Sequence, residues 1–213
     1  MKTIVTTGLV FNLPLYARDG ASFISPDACG HVCTVTGAEW RYSGRWFNKF
    51  NHKIGLPDDP RLTPTTGLTL EAWIKPELVI NTGRIISRLP DGSYKGWSMF
   101  HYTYVGFQCH IGGSLATLYG AADSIAANVW HHAACTYDGS AMRIYIEGEQ
   151  SGNTLERSGS IAYDSLAPAI GMDNGAGINQ PYGGIIAEAR IYNRGLTRLE
   201  VERNYLATRW RYV

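Results

Sequence analysis

The sequence predicts an all-β fold, a two-sheet antiparallel jelly-roll sandwich closed by one short C-terminal helix. Short runs of alternating apolar and polar residues recur between turn residues along nearly the whole chain. Glycine and tyrosine are abundant, 24 and 13 of 213 residues, while charged residues are only 17%, below the usual quarter. One helical signature stands at the very end. The apolar share of 45% excludes a disordered chain, and the lack of heptads or a Gly-X-Y period excludes coiled coil and collagen. A net charge of +1 offers no broad basic field for nucleic acid or an anionic membrane.

The elements follow in order. Gly8 to Tyr16 reads as a first strand, with Pro14 placing it near an edge or a bulge. The segment from Met1 to Ala17 is too polar-broken for a signal peptide, and no stretch nears the ~20 apolar residues of a membrane span. Cytoplasmic synthesis is therefore expected. Thr69 to Lys75 alternates, with Leu70, Ala72 and Ile74 on one face. Trp97 to Tyr104 is aromatic and strand-like. Trp130 to Tyr137 and Ala141 to Ile146 flank Asp138-Gly139-Ser140, a hairpin signal. Glu147-Gly148-Glu149 makes a second tight turn. Gly184 to Tyr192 reads as the last strand, with Ile186, Glu188 and Arg190 opposed to Ile185, Ala187, Ala189 and Ile191. Thr197-x-x-Glu200 is a capping box, followed by a helix with Leu199, Val201 and Tyr205 as its apolar face. No linker or repeat divides the chain, so one domain over residues 1–213 is expected.

Four cysteines are present. Cys29 and Cys33 stand three residues apart around His31, which matches no common zinc or redox spacing. A bridge between them and two free thiols both fit that spacing. Cys109 and Cys135 lie in strand-like runs and read as small buried hydrophobes.

Trp130-His-His-Ala-Ala-Cys-Thr-Tyr-Asp-Gly139, followed by Arg143-Ile-Tyr-Ile-Glu-Gly148, resembles the hairpin of laminin G-like jelly rolls of the concanavalin A-like lectin/glucanase group. Gly8 to Leu15, Gly44-Arg-Trp-Phe47 and Leu68 to Lys75 resemble its opening strands. Ile170-Gly171 and Gly184 to Arg194 resemble its closing strand and turn. The resemblance implies the sandwich and, by analogy of fold, a glycan-type ligand. Many members hold calcium on rim acids. Here Asn48, Lys49, Asn51 and His52 stand at the corresponding stretch, and Ala187 replaces a common Asp. Calcium prefers six to eight oxygens, several of them anionic, so no cofactor is expected. Asp173 and Asn174 remain weak oxygen candidates, equally explained by an Asn-Gly turn.

Catalysis is not expected. Glycosidases need two carboxyls held about 5 Å apart in the retaining case, and Glu147-Gly-Glu149 is a turn. Gln108 and His110 share a strand face and resemble part of a jelly-roll alginate lyase motif, but its companion motifs are missing. His131 and His132 are adjacent in a strand, so they point to opposite faces and cannot grip one ion.

Aromatic side chains are the remaining candidates, because sugar rings stack their C–H faces on Trp and Tyr. Trp97, Tyr102, Tyr104 and Tyr182 are the expected ligand-binding residues. Arg209, Trp210, Arg211 and Tyr212 form a second candidate set, a tail that docks on a partner, since Arg, Trp and Tyr are enriched at interface anchors. Two functions follow. The leading one is non-catalytic glycan recognition or adhesion. The other is a virion structural subunit, such as a capsid decoration or tail-surface protein, self-assembling through the jelly roll.

Overall fold

The computed structural model describes residues 2–79, 82–89, 94–175 and 180–212. Its strands, in chain order, are β1 (Leu9–Pro14), β2 (Ser22–Ile24), β3 (Val32–Thr36), β4 (Glu39–Arg41), β5 (Gly44–Asn48), β6 (Lys53–Gly55), β7 (Leu68–Pro76), β8 (Gly83–Ser87) and β9 (Trp97–His101). They continue as β10 (Val105–Ile111), β11 (Ser114–Tyr119), β12 (His131–Tyr137), β13 (Ala141–Ile146), β14 (Glu149–Gln150), β15 (Leu155–Glu156), β16 (Ala169–Ile170) and β17 (Gly183–Tyr192). A helix, α1 (Arg198–Thr208), and a 3-10 turn over Arg209–Arg211 end the chain.

Among the described residues the strands form two antiparallel sheets, of nine and eight strands. The first runs β14-β13-β12-β7-β17-β5-β4, with β1 added on β17 and β15 on β13. The second runs β11-β10-β9-β8-β16-β6-β3-β2. Leu70, Ala72, Ile74, Phe11 and Ile144 of the first sheet meet Ile54, Trp97, Met99 and Phe107 of the second in one apolar core. Removing a side chain of that size from water contributes about 2 kcal/mol. Cys33, Cys109 and Cys135 belong to the same core. All four cysteines are free, which decides between the two readings of Cys29 and Cys33. Burial pushes the Cys33 thiol up to about 12.

Most predicted elements form within a residue or two of their expected bounds. The Asp138 hairpin closes because its carboxylate accepts from the backbone N–H groups of Ser140 and Ala141, while Gly139 takes a φ of 96°. The capping box is reciprocal: the Thr197 side chain accepts from the Glu200 N–H and the Glu200 side chain from the Thr197 N–H.

Three expectations need correction. The strand starting at Trp97 ends at His101, and Tyr102-Thr103-Tyr104 is the turn into β10, held by Tyr102 N–H donating to the Tyr104 carbonyl. In β17 the register shifts between Ile186 and Glu188. This bulge lets Ile186, Ala189 and Ile191 all face the core, while Ala187 joins a cluster on the other side. Strict alternation could not foresee it, because one extra residue reverses the faces. In α1, Leu199 is 75% exposed and the buried residues are Val201 and Asn204. Leu199 stands two residues, about 200° of helix, from Val201 and so lies on the opposite side.

Candidate functional site

The outer face of the nine-stranded sheet carries charge where alternation would place solvent-facing residues. Glu71 on β7, His132 on β12, and Glu188 and Arg190 on β17 are all buried there beneath α1 and the tail. The Glu71 carboxylate accepts from His132 Nε2 at 3.1 Å and Asn204 Nδ2 at 2.7 Å, and also from the Arg190 guanidinium. Arg190 pairs with Glu188 as well, and Glu188 accepts from the Tyr212 hydroxyl at 2.8 Å. Burial alone would raise the Glu71 carboxyl. The Arg190 charge and the His132 and Asn204 hydrogen bonds outweigh it and hold the group down at about 2. A buried charge survives only with such partners.

This network fixes the tail. The Tyr212 ring packs on Trp73 at 4.3 Å between centroids and on Trp130 at 4.9 Å. The Trp73 indole N–H donates to Thr208 Oγ1. The four tail candidates therefore divide. Tyr212 is largely buried against its own chain, its hydroxyl donating to Glu188, and only an edge of it reaches the surface groove described next. Arg209, Trp210 and Arg211 stay outward, with Trp210 58% exposed. Val213, the last residue of the predicted tail, lies outside the described residues.

Trp210 and Arg211 border an open groove of about 500 Å³, with Tyr16, Trp40, Tyr42, Ser43 and Tyr212. Trp40 lies on β4, and Tyr42 at the tip of the β4–β5 hairpin is 92% exposed. Both indoles are fixed: Trp40 Nε1 donates to the Tyr16 carbonyl at 3.0 Å and Trp210 Nε1 to the Ala207 carbonyl at 3.1 Å. The Arg211 guanidinium carbon sits 4.0 Å from the Tyr16 ring centroid and 4.6 Å from that of Trp210. Burial and the nearby Glu188 charge raise the Tyr16 hydroxyl, and Arg211 and Arg190 oppose that rise. A second recess of about 260 Å³ shares Tyr16, Trp210 and Arg211 and reaches Asn12, Thr208, Glu188 and Arg190. The arrangement is a run of aromatic side chains, both indoles hydrogen-bonded to backbone, opening onto polar groups.

The four expected ligand residues are not brought together. Trp97 and Tyr182 are fully buried. Trp97 fills the core, and Tyr182 packs on Phe47 and His101, so neither offers a stacking face. Tyr102 and Tyr104 do sit together, 5.6 Å apart, with Tyr119 5.3 Å from Tyr104. Tyr104 and Tyr119 wall a smaller cleft of about 190 Å³ with Arg84, Phe100, Gln108, Thr82 and Gln180. There Arg84 already donates to Asp173, Ser98 and Gln108. Most of its fork is thus spent inside the protein. Gln108 is tied up the same way, and His110 beside it is nearly buried.

Asp173 and Asn174 are likewise engaged. Asp173 pairs with Arg84 at 3.1 Å, and Asn174 Oδ1 accepts from Lys53 Nζ at 2.9 Å. The Asn48 side-chain Oδ1 accepts from the backbone N–H groups of Phe50, Asn51 and His52. An ammonium and backbone amides thus occupy the oxygens a cation would need. Among the described residues no three His, Cys, Asp or Glu side chains group to hold a metal. His131 and His132 face opposite ways, bonded to Glu147 and Glu71 respectively.

Two stacked antiparallel sheets define a jelly roll, and an aromatic groove opens at its surface. Residues 48–202 match the laminin G-like family model described as the concanavalin A-like lectin/glucanases superfamily. The match covers well over half of the chain, and the chain belongs to that family. None of the curated proteins matches it. Among solved structures, the receptor-binding domain of a botulinum neurotoxin C/D mosaic serotype superposes with a TM-score of 0.73 at 14% identity, covering 94% of this chain and 51% of that one. The botulinum neurotoxin serotype D ligand-binding domain, solved in complex with N-acetylneuraminic acid, gives 0.72 at 14% identity, with 94% and 51% covered. The binding domain of Paraclostridial Mosquitocidal Protein 1 gives 0.72 at 16% identity, with 93% and 52% covered. These likenesses show the fold. The chain spans about half the length of those structures. Among the described residues no helix is long and apolar enough to cross a membrane.

Proposed function

We propose that the protein is a non-catalytic glycan-recognition domain and that its binding site is the groove of Tyr16, Trp40, Tyr42, Trp210 and Arg211. One observation carries the reading: two exposed indoles whose N–H groups are satisfied by backbone carbonyls, set beside exposed tyrosine and a polar recess. Rings held in this way lose little entropy when a sugar stacks on them, and the polar end can take hydroxyls. The family and the sugar-bound neurotoxin domain support the same class of ligand. Binding without calcium is part of the proposal, since Lys53 and Arg84 already satisfy the best oxygen candidates.

A glycan array, run with and without chelator, tests it. We expect saccharide binding that chelator leaves intact and that Trp210→Ala or Trp40→Ala weakens at least about tenfold, as loss of a central aromatic anchor does. Binding that survives both changes but vanishes in Tyr104→Ala would move the site to the smaller cleft. Absence of any saccharide binding, with concentration-dependent self-association lost in Trp210→Ala, would favour the structural-subunit reading.

A further inference from the structure

Arg211 stands at the junction of the two recesses, lining both. Two aromatic rings hold its guanidinium, Tyr16 at 4.0 Å and Trp210 at 4.6 Å. Such contacts hold the charge beside the rings without supplying an oxygen acceptor, so the N–H groups remain available to one. Arg190 is matched with Glu71 and Glu188, and Arg41 with Glu39, while Arg209 lies over the Tyr205 ring. Arg211 makes no ion pair with a carboxylate among the described residues. The one acid lining either recess, Glu188, is itself bonded to Arg190 and Tyr212. The groove therefore presents a pre-oriented, uncompensated fork between stacking faces.

We infer that the groove selects carboxylate-bearing saccharides, with Arg211 as the residue that recognises the carboxylate. The inference rests on the glycan reading above and adds the class of sugar. A planar carboxylate matches the guanidinium edge with two parallel hydrogen bonds, and an Arg pinned by rings keeps that geometry at little entropic cost. The sugar ring carrying the acid would lie on the Trp210 or Trp40 face, and neighbouring hydroxyls would reach Asn12 and Thr208.

The test compares acidic and neutral probes of nearly one size by calorimetry: sialyllactose with its methyl ester, and glucuronic acid with glucose. In the natural protein each acidic probe is expected to bind about tenfold or more tighter than its neutral counterpart, the value of a hydrogen bond to a charged group. That preference should shrink as salt rises. Arg211→Met should bring the acidic-to-neutral ratio close to one, and Arg211→Lys should leave a reduced, salt-sensitive ratio. A melting curve verifies that each variant is folded. Equal affinity for acidic and neutral probes in the natural protein, or a preference that persists in Arg211→Met, overturns the inference while leaving glycan binding in place. Failure of all four probes and of the array overturns both.

Discussion

Arg190 serves two carboxylates, Glu71 and Glu188, from a position with almost no solvent contact. Burial disfavours its charge, yet the two acids raise its pKa above the ordinary arginine value. Removing one partner from such a cluster is costly because the remaining charge stays buried. Glu71→Gln should therefore destabilise the protein by about 3 kcal/mol or more in urea unfolding at pH 7. The Glu71 carboxyl sits at about 2 in the folded chain against an ordinary 4.5. Between those values the unfolded chain binds more protons, so the contribution of Glu71 is complete above about pH 4.5 and fades as pH falls toward 2. Natural protein and Glu71→Gln should thus converge in stability on acidification; a constant difference down to pH 2.5 would contradict the assignment. None of this network was legible in the sequence. Alternation marks Glu71, Glu188 and Arg190 as facing away from the core, and nothing local says that a helix 133 residues from Glu71 will cover them through Asn204.

At the scale of elements, the groove depends on the β4–β5 hairpin and on the bulge in β17. Gly44 begins β5 with a φ of +151°, and a Cβ there would lie 2.5 Å from the Ile186 carbonyl and 2.8 Å from the Ala187 Cα. Gly44→Ala should lower stability by about 1–3 kcal/mol through strain at a glycine-only geometry. It should also weaken saccharide binding by shifting Trp40 and Tyr42, while a change at exposed Leu199 leaves both alone. Thermal melts and array intensities on the same preparations separate the two. Elements whose pattern is local were readable: the capping box at Thr197, the Asp138 hairpin, the strand from Leu68. The bulge was not, since it depends on how β17 meets β7 and β5. The groove was only half readable. Trp210 and Arg211 were noticed as a tail, but Trp40 and Tyr42 lie some 170 residues earlier, in a short exposed strand and the turn that follows it, with little pattern of their own. The aromatic density around Trp97 misled because a strand rich in rings is as often the interior of a sandwich as its surface, and Trp97 and Tyr182 proved to be interior.

For the whole molecule, the sandwich supports the proposed site, which lies on the outer side of the nine-stranded sheet. The chain lays its helix and tail across that face, pins them with the buried acids and Arg190, and ends with Trp210 and Arg211 beside Tyr16 and Trp40. The fold itself was legible because its signal is repeated in strand after strand, whereas the site is assembled once, from both ends of the chain. The most direct test is a titration followed by the indole N–H resonances of the six tryptophans, with sialyllactose as ligand. The account predicts saturable shifts of the Trp40 and Trp210 signals, and a still signal from Trp97 in the core. No shift of the Trp40 and Trp210 signals at saturating sugar, with binding detected by calorimetry, would contradict it.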